Sequence, residues 1–393
     1  MMENQKTSQN SSYRSLFLLR PDVIFLNHGS FGATPLPVFK RYQYWQRELE
    51  RQPVEFLGRK AKDLLLQSRK ILAEYLHTQP GNLVYVTNAT TGLNIIARSL
   101  NLCEHDEVLS TDHEYGALDR TWRFLAQKRG FKYINQPVNL PVETPDQIIA
   151  DLFAGVSSRT KVIFISHITS PTAIIFPVKA VCHLARQKGI LTIVDGAHTP
   201  GQIDLNLEEI GADFYVGNLH KWLCAPKGSA FIYARPEIQH LIEPLIVSWG
   251  WESETPGESP FVDYLEWSGT RDISAFLAVP DAIQFQRQLG WEKLRIACHH
   301  LASMTRQAII QITGEPPLYP DDLRWYVQMG SVPLPEGVDP LTLQRRLYEE
   351  FKIEIPVTHW RDRYMIRFSL QIYNDETDIH ALIKALSVIL GKA

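Results

Sequence analysis

The chain of 393 residues carries a formal net charge of −3, because 40 lysines and arginines stand against 43 aspartates and glutamates. Its length predicts two or three domain-sized units. With 45% hydrophobic and 21% charged residues, the composition is typical of a globular protein and excludes a mostly disordered chain. Because there is no basic excess, we expect neither a nucleic acid nor a membrane as a partner.

The four cysteines are scattered and form no Cys-x-x-Cys pair, so we expect neither a disulfide framework nor a metal site. Residues 1–13 are polar and lack the apolar stretch of a secretory signal. These features predict a soluble protein of a reducing compartment, and we assign it to the cytoplasm.

The chain begins with residues 1–20, which are rich in Ser, Asn and Gln and are typical of a loose arm. Apolar residues at helical spacing then predict helices over residues 36–51 and 58–76. From residue 83 onward, short β-rich runs alternate with amphipathic helices at 118–129, 145–156 and 178–188. The strands are predicted at residues 83–87, 107–110, 133–136, 161–166, 191–195, 214–217 and 229–233. This alternation predicts an α/β fold with a mostly parallel sheet covered by helices on both faces.

Glycines and prolines in residues 249–260 indicate a connection out of the sheet region. A long helical region follows at 273–311. The tail combines predicted strands at 325–329 and 364–370 with helices at 340–351 and 377–390, which is typical of a smaller α+β domain. We therefore divide the chain into an N-terminal arm (1–30), a large domain (31–255), and a connecting helix with a small C-terminal domain (256–393).

Polar side chains follow five of the predicted strands, at the edge where parallel α/β sheets bind their ligands. The runs after the strands are NATTGLN at 88–94, DHEY at 112–115, SHITSP at 166–171, DGAH at 195–198 and GNLHK at 217–221. The first run places Thr90 and Thr91 at a strand-to-helix junction, where free N–H groups suit a phosphate. An ordinary threonine cap is the alternative. No GxGxxG or GxxxxGK motif supports a dinucleotide or P-loop site.

Asp195 and Lys221 each follow an apolar strand, so both side chains are expected to be largely buried. A buried carboxylate needs a cationic partner, although an aspartate before a glycine also serves as a turn residue. A desolvated lysine loses its proton readily and is a candidate nucleophile, although a lysine after a strand is otherwise a solvated loop residue. A phosphate cup, an aspartate for a pyridinium nitrogen and a Schiff-base lysine together predict a pyridoxal phosphate site.

These motifs, with SGTRD at residues 268–272, resemble the class V aminotransferases, PLP-dependent enzymes of fold type I. The runs FLNHGSFG at 25–32 and SHITSPT at 166–172 are most similar to the isopenicillin N epimerase-like branch. The resemblance implies a large domain with a mostly parallel seven-stranded sheet, a smaller α+β C-terminal domain, and a homodimer with sites at the interface.

The resemblance also implies roles for individual residues. Lys221 would form the Schiff base (aldimine) and then move protons, while Asp195 would pair with the pyridine nitrogen and His198 with the ring 3-oxygen. The phosphate would be held by Ala89, Thr90, Thr91, Asn218, His220 and, across the dimer interface, Thr270. His113 matches the position that stacks on the cofactor, with Tyr115 as the alternative, and His113 is also a candidate second acid.

Arg367 lies where the family binds the substrate carboxylate, and a bidentate guanidinium suits that role. Arg271, Arg361 and Arg363 are candidates for a second carboxylate, and Asn27, His28 and Trp249 for the substrate pocket. Residues 357–364 lack the cysteine of the related desulfurases, which disfavours persulfide chemistry. The resemblance implies a PLP-dependent epimerase (isomerase) acting through loss of the Cα proton. The alternatives are a cysteine or cystine C–S lyase and an aminotransferase.

Overall fold

The computed structural model describes residues 13–257 and 259–392. Most of the predicted arm, residues 1–12, lies outside the described residues. The strands are β1 (Ile24–Phe25), β2 (Leu83–Val86), β3 (Glu107–Thr111), β4 (Lys132–Gln136), β5 (Thr160–Ser166), β6 (Leu191–Asp195), β7 (Phe214–Asn218), β8 (Ala230–Ala234), β9 (Met329–Pro333), β10 (Ile353–Glu354), β11 (Val357–Trp360) and β12 (Arg363–Ser369).

In the first half of the chain, two long helices precede the central sheet. The helices of this half are α1 (His28–Phe31), α2 (Leu36–Arg51), α3 (Pro53–Glu55), which continues through a π-helical turn (Phe56–Lys60), α4 (Ala61–Tyr75), α5 (Ala89–Ser99), α6 (Gly116–Arg129), α7 (Pro145–Phe153), α8 (Val178–Gln187) and α9 (Leu207–Ile210). The second half contributes α10 (Pro260–Glu266), α11 (Ser274–Leu277), α12 (Val279–Leu289), α13 (Trp291–Thr313), α14 (Pro340–Phe351) and α15 (Glu376–Leu390). Short 3₁₀ turns span Pro80–Asn82 and Pro236–Leu241.

Seven strands form the central sheet in the order β2-β8-β7-β6-β5-β3-β4. Only β8 runs antiparallel to its neighbours within this sheet. Side chains along β5 alternate between two apolar clusters, since Ile163 and Ile165 join one and Val162 and Phe164 the other. This alternation is the period of a strand buried on both faces. The predicted α/β fold and its seven-stranded, mostly parallel sheet are confirmed.

The predicted helical region 273–311 is divided into α11, α12 and α13. Gly290 separates the last two in a left-handed conformation, with φ of 66°. The C-terminal part folds a three-stranded antiparallel sheet, β11-β12-β9, against helices.

The prediction of a strand at 325–329 is wrong, because the strand of this region, β9, begins only at Met329. Trp325 and Tyr326 are buried, and the Tyr326 ring packs 4.9 Å from His299 of α13 and 5.6 Å from Tyr319. Their apolar character therefore reflects this aromatic cluster and not a sheet.

The start of the described chain crosses to its C-terminal part. β1 pairs in parallel with β10, and the carbonyl of Leu26 accepts a hydrogen bond from the Ser369 amide at 2.8 Å. The chain then continues past Asn27, which bridges to Ser369 at the end of β12, and enters α1. The division into three units stays a prediction. Within residues 13–257 and 259–392, no helix is both long enough and apolar enough to cross a membrane.

Candidate active site

A cavity of about 440 Å³ opens at the carboxyl edge of the central sheet. Residues at or after the ends of five strands line it: Thr90, Tyr115, Ser166, Asp195 and Asn218. Ser30 after β1 and Arg367 of β12 close it from the other side. The cavity thus lies where the strand-end pattern of the sequence predicts a ligand.

The N-terminus of α5 is fixed against the end of β7. The Asn88 side chain caps the helix by accepting from the Thr91 amide, and the Asn218 side chain accepts from the Ala89 amide, both at 2.8 Å. Ala89, Thr90, Asn218 and His220 line the cavity, whereas Thr91 does not. Four of the five predicted same-chain phosphate residues therefore meet at one helix N-terminus, where backbone N–H groups and the helix dipole favour an anion.

Asp195 is the last residue of β6 and pairs in register with Ser166 of β5. Its Oδ1 accepts from the Ala197 amide at 2.9 Å. Burial raises the pKa of the Asp195 carboxyl, and the Ala197 hydrogen bond and the Lys221 charge oppose that rise. In the part of the chain that the structure describes, no basic side chain makes an ion pair with it. The carboxylate is therefore available to a cationic N–H of a ligand.

Lys221 and His198 meet inside the cavity, with Nζ 3.1 Å from His198 Nε2. The indole of Trp222 donates to His198 Nδ1 at 3.3 Å, so the imidazole proton of the neutral ring lies on Nε2, facing the lysine. Burial and the nearby Arg367 charge lower the pKa of Lys221 to about 7, against the opposing effect of Asp195. A lysine with this pKa supplies a neutral amine near neutral pH.

His28 and Asn27, both predicted for the substrate pocket, do not line the cavity. The buried His28 ring donates from Nε2 to the Lys221 carbonyl at 3.0 Å and accepts at Nδ1 from the Tyr373 hydroxyl at 2.9 Å. Asn27 donates to Glu354 at 3.1 Å. His28 therefore lies behind the lysine and holds its backbone.

Arg367 enters the cavity from the opposite wall. Its guanidinium donates to the Ser170 carbonyl at 2.7 Å and to the Ser30 hydroxyl at 3.2 Å. Its buried Nε has no hydrogen-bond partner, and burial lowers the pKa of Arg367 to about 10. No carboxylate of the described chain pairs with it. A buried guanidinium with a free N–H fits a ligand carboxylate.

His113 lies outside the cavity lining, unlike Tyr115. The His113 ring contacts Trp360 with 4.6 Å between centroids, and its nitrogens bond the Thr172 hydroxyl at 2.8 Å and the Val138 carbonyl at 3.0 Å. Both nitrogens are thus occupied in the core. Of the two residues that the sequence left open for the stacking position, the geometry favours Tyr115, and it does not support His113 as an acid at the cavity.

The remaining predicted residues are not brought to this cavity. Arg361 pairs with Asp112 and Arg363 with Glu315, each at 2.6 Å, and Arg271 donates to the Glu266 carbonyl at 2.9 Å. A separate surface groove is lined by Thr270, Trp249, Trp267, Val54 and Leu57, among others.

Sequence analysis assigned no role to several polar residues of the cavity, among them Ser30, Ser166, Ser170 and Lys227. Ser30 and Ser170 orient Arg367, and both lie in the runs whose resemblance was noted above. Ser166 donates to the buried Glu114 at 2.5 Å. Lys227 donates to the Gly32 carbonyl at 2.9 Å, and no sequence signal distinguishes it from a solvated lysine.

The fold and the site together define a PLP-dependent enzyme of fold type I. The sequence profile described as "Aminotransferase class-V" matches residues 33–382. The chain therefore belongs to the class V aminotransferase family.

Among its relatives, isopenicillin N epimerase of Streptomyces clavuligerus is 36% identical over 96% of this chain and 98% of its own. An L-cysteine desulfhydrase of Arabidopsis thaliana is 27% identical over 94% of this chain and 88% of its own. A solved structure of a C-DES mutant with glycine covalently linked to its PLP cofactor superposes with a TM-score of 0.84 at 20% identity. That match covers 95% of this chain and 98% of the other.

The cofactor is pyridoxal 5'-phosphate, and the cavity fits it. The N-terminus of α5 suits its phosphate, Asp195, which makes no ion pair, suits its pyridine nitrogen, and the neutral Lys221 amine suits its aldehyde carbon. When bound, the group supplies an electron sink for the bonds at the α-carbon of an amino acid.

Proposed function

We propose that this enzyme epimerises the α-carbon of an amino-acid substrate, with isopenicillin N as the first candidate. The observation that carries the choice of reaction is the similarity to isopenicillin N epimerase, which extends over nearly the whole length of both chains. The cavity residues support the steps that such a reaction needs, but they would also serve neighbouring reactions of the family.

Each group of cavity residues has a separate role in this proposal. Lys221 takes the proton from the α-carbon, for which its lowered pKa suits it. Arg367 binds the substrate carboxylate, and Ser30 and Ser170 fix the plane of its guanidinium. Asp195 keeps a positive charge on the pyridine nitrogen, and His198 orients the lysine amine. Ala89, Thr90, Asn218 and His220 hold the phosphate.

A cysteine or cystine C–S lyase is the second candidate, supported by the similarity to L-cysteine desulfhydrase. This reaction would use the same proton abstraction and then expel the β-substituent. None of the described cavity residues is a cysteine. The Cys224 thiol is buried, with its pKa raised to about 12 by burial, so it does not suit a sulfur acceptor. Aminotransfer ranks third because no observation favours it.

The proposed function is tested by incubating isopenicillin N with the purified holoenzyme in deuterated water and analysing the products by chiral separation with mass detection. A deuterium-labelled D-epimer is expected. Recovered substrate without deuterium and without inversion would contradict the epimerase assignment, and pyruvate release from cystine would then be assayed for the second candidate.

We also propose a homodimer that joins through the groove of Thr270 and Trp249. The Trp249 side chain is 83% exposed and Val54 is 72% exposed, and both line this groove. Apolar side chains exposed together mark interaction surfaces. Size-exclusion chromatography of the holoenzyme with light-scattering detection is expected to give twice the chain mass of 45.0 kDa. A mass equal to that of one chain would contradict the dimer.

A further inference from the structure

We propose that Tyr115 is the second proton-transfer residue of the epimerase, and that it acts on the face of the substrate opposite Lys221. The proposal rests on the proposed function, because only inversion of the α-carbon needs a proton donor on each face.

The order of the strands places the two groups on different sides of Asp195. Lys221 follows β7, Asp195 ends β6, and Tyr115 follows β3, beyond β5. Neighbouring strands lie about 4.8 Å apart, so the β7 and β3 ends are separated by roughly 14 Å. Lys221 and Tyr115 therefore line the cavity on opposite sides of Asp195, the residue that would hold the pyridine nitrogen.

Elimination among the ionisable cavity residues also leads to Tyr115. His198 contacts Nζ of Lys221 directly, so it lies on the lysine side. His220 binds the Ser229 carbonyl at 3.1 Å, and Lys227 binds the Gly32 carbonyl. Arg367 does not give up its proton at neutral pH.

The surroundings of Tyr115 suit a group that is briefly deprotonated. Its backbone is fixed as the first-turn acceptor of α6, since its carbonyl accepts from the Leu118 and Asp119 amides at 2.8 and 3.1 Å. The phenol lines the same cavity as the Arg367 guanidinium and interacts with it electrostatically. The side chain is 47% exposed, so water can restore its proton.

The proton balance of the step is as follows. The Cα–H bond breaks, Lys221 Nζ gains that proton, and the electron pair stays on the substrate with its cofactor. The Tyr115 O–H bond then breaks, its proton forms the new Cα–H bond on the opposite face, and Tyr115 is left as a phenolate beside Arg367. Water returns a proton to Tyr115 and accepts one from Lys221, which closes the cycle without an oxidant or a reductant.

The test compares Tyr115→Phe with the surface control Tyr348→Phe, both as holoenzymes with isopenicillin N in deuterated water. Tyr348 lies on α14 and is exposed. In Tyr115→Phe, formation of the D-epimer is expected to fall about 100-fold or more. Deuterium uptake into the unchanged L-substrate, which needs only Lys221, is expected to persist within about threefold of the wild type. The control and the cofactor absorbance are expected not to change.

Wild-type D-epimer formation by Tyr115→Phe would overturn the proposal. A parallel loss of deuterium exchange and inversion, at normal cofactor absorbance, would also overturn it, because Tyr115 would then act in binding. If the wild type itself forms no D-epimer, the proposed function falls and the role of Tyr115 with it.

If Tyr115→Phe does not fold, Tyr115→His decides the question. The proposal expects the pH profile of epimer formation to shift toward acid, since an imidazole titrates well below a phenol. An unchanged profile would overturn it.

Discussion

Lys221 and Arg367 both place basic groups in the cavity, and of the two only the Arg367 guanidinium stays fully charged near neutral pH. Neither makes an ion pair with a carboxylate of the described chain. Burial lowers the pKa of each. A buried charge without a counter-ion costs free energy that an anionic ligand recovers. The protein therefore stores, in its own residues, a preference for a molecule that brings a phosphate and a carboxylate.

Replacing Arg367 by Met is expected to lower kcat/KM by about 30- to 1,000-fold, or ~2–4 kcal/mol, because the substrate carboxylate loses a buried charged partner. Arg367→Lys is expected to recover only part of this loss, since an ammonium lacks the planar fork. Steady-state kinetics measures the effect, and the cofactor spectrum is expected to stay normal. Arg363→Met, which breaks an ion pair outside the cavity, is the control. Equal kcat/KM for the two methionine variants would contradict the role of Arg367.

The strand-end rule was sufficient to predict that Lys221, Asp195, His198 and Asn218 belong to one cavity. It could not predict that His113 lies outside the cavity, because a strand end fixes where a residue lies and not which way its ring points. His113 turns into the core, where its Nδ1 accepts a hydrogen bond from the hydroxyl of Thr172, 59 residues away along the chain. Tyr115, two residues further on, is left to face the cavity.

The loop that carries Lys221 joins β7 to β8 and is pressed against the backbone of α1 and the turn after it. Gly32 has φ of 68°, and a Cβ there would lie 2.0 Å from the His220 carbonyl oxygen and 2.9 Å from Lys221 Cα. Only glycine satisfies both the left-handed backbone and this approach. The position of Lys221 thus depends on a residue without a side chain.

Gly32→Ala is expected to displace the lysine loop, weaken the cofactor absorbance and destabilise the fold by about 3 kcal/mol or more. Gly189→Ala is the matched control, because Gly189 has φ of 67° but open space around its Cβ position. This control is expected to cost only about 1 kcal/mol through backbone strain. Urea unfolding, followed by far-UV circular dichroism and by the cofactor spectrum, measures both. Equal effects of the two variants would show that backbone strain alone matters.

Elements with a strong local pattern were predictable, and those defined by distant partners were not. The sequence alone identifies α2 and α14 to the residue and every strand of the central sheet to within a residue or two. The two-residue strands β1 and β10 carry no pattern of their own, because each is a strand only through pairing with the other. The strand predicted near Trp325 was wrong because its aromatic residues suggested a strand, whereas buried aromatic residues occur in loops as well as in strands.

Among the described residues, six histidines are buried and have a lowered pKa, namely His28, His113, His167, His198, His220 and His299. Burial lowers the pKa values of His28 and His167 to about 3 and of His113 and His220 to about 4, and it lowers the pKa of His198 strongly. In the unfolded chain these residues take up protons near pH 6.5. Burial acts in the opposite sense on four carboxyls of the described chain. It raises the pKa of Glu114 to about 8 and also raises the pKa values of Asp195, Asp281 and Asp378.

The holoenzyme is therefore expected to lose stability as the pH falls from about 6.5 toward 4, because the unfolded chain then binds more protons than the native state. The buried histidines take up protons on unfolding, whereas among these carboxyls only Glu114 has a pKa placed above this range, at about 8, so the net number of protons taken up on unfolding is positive. Urea midpoints measured between pH 7 and 5 give this number from their slope. His113→Gln is expected to reduce it by about one, and His183→Gln, on the surface of α8, to leave it unchanged. Stability that rises on acidification in this range would contradict the prediction.

The crossing of β1 to β10 has a consequence for biosynthesis. Asn27 and its hydrogen-bond partner Glu354 are 327 residues apart along the chain, so the segment around β1 contacts one that is synthesised much later. At about 5–20 residues per second, the first must wait roughly 15–65 s. During that interval the Lys221 loop lacks the strand that fixes the segment carrying His28 and Gly32. The seven strands of the central sheet can pair before β10 has been synthesised, whereas the active site is complete only once β10 has paired with β1.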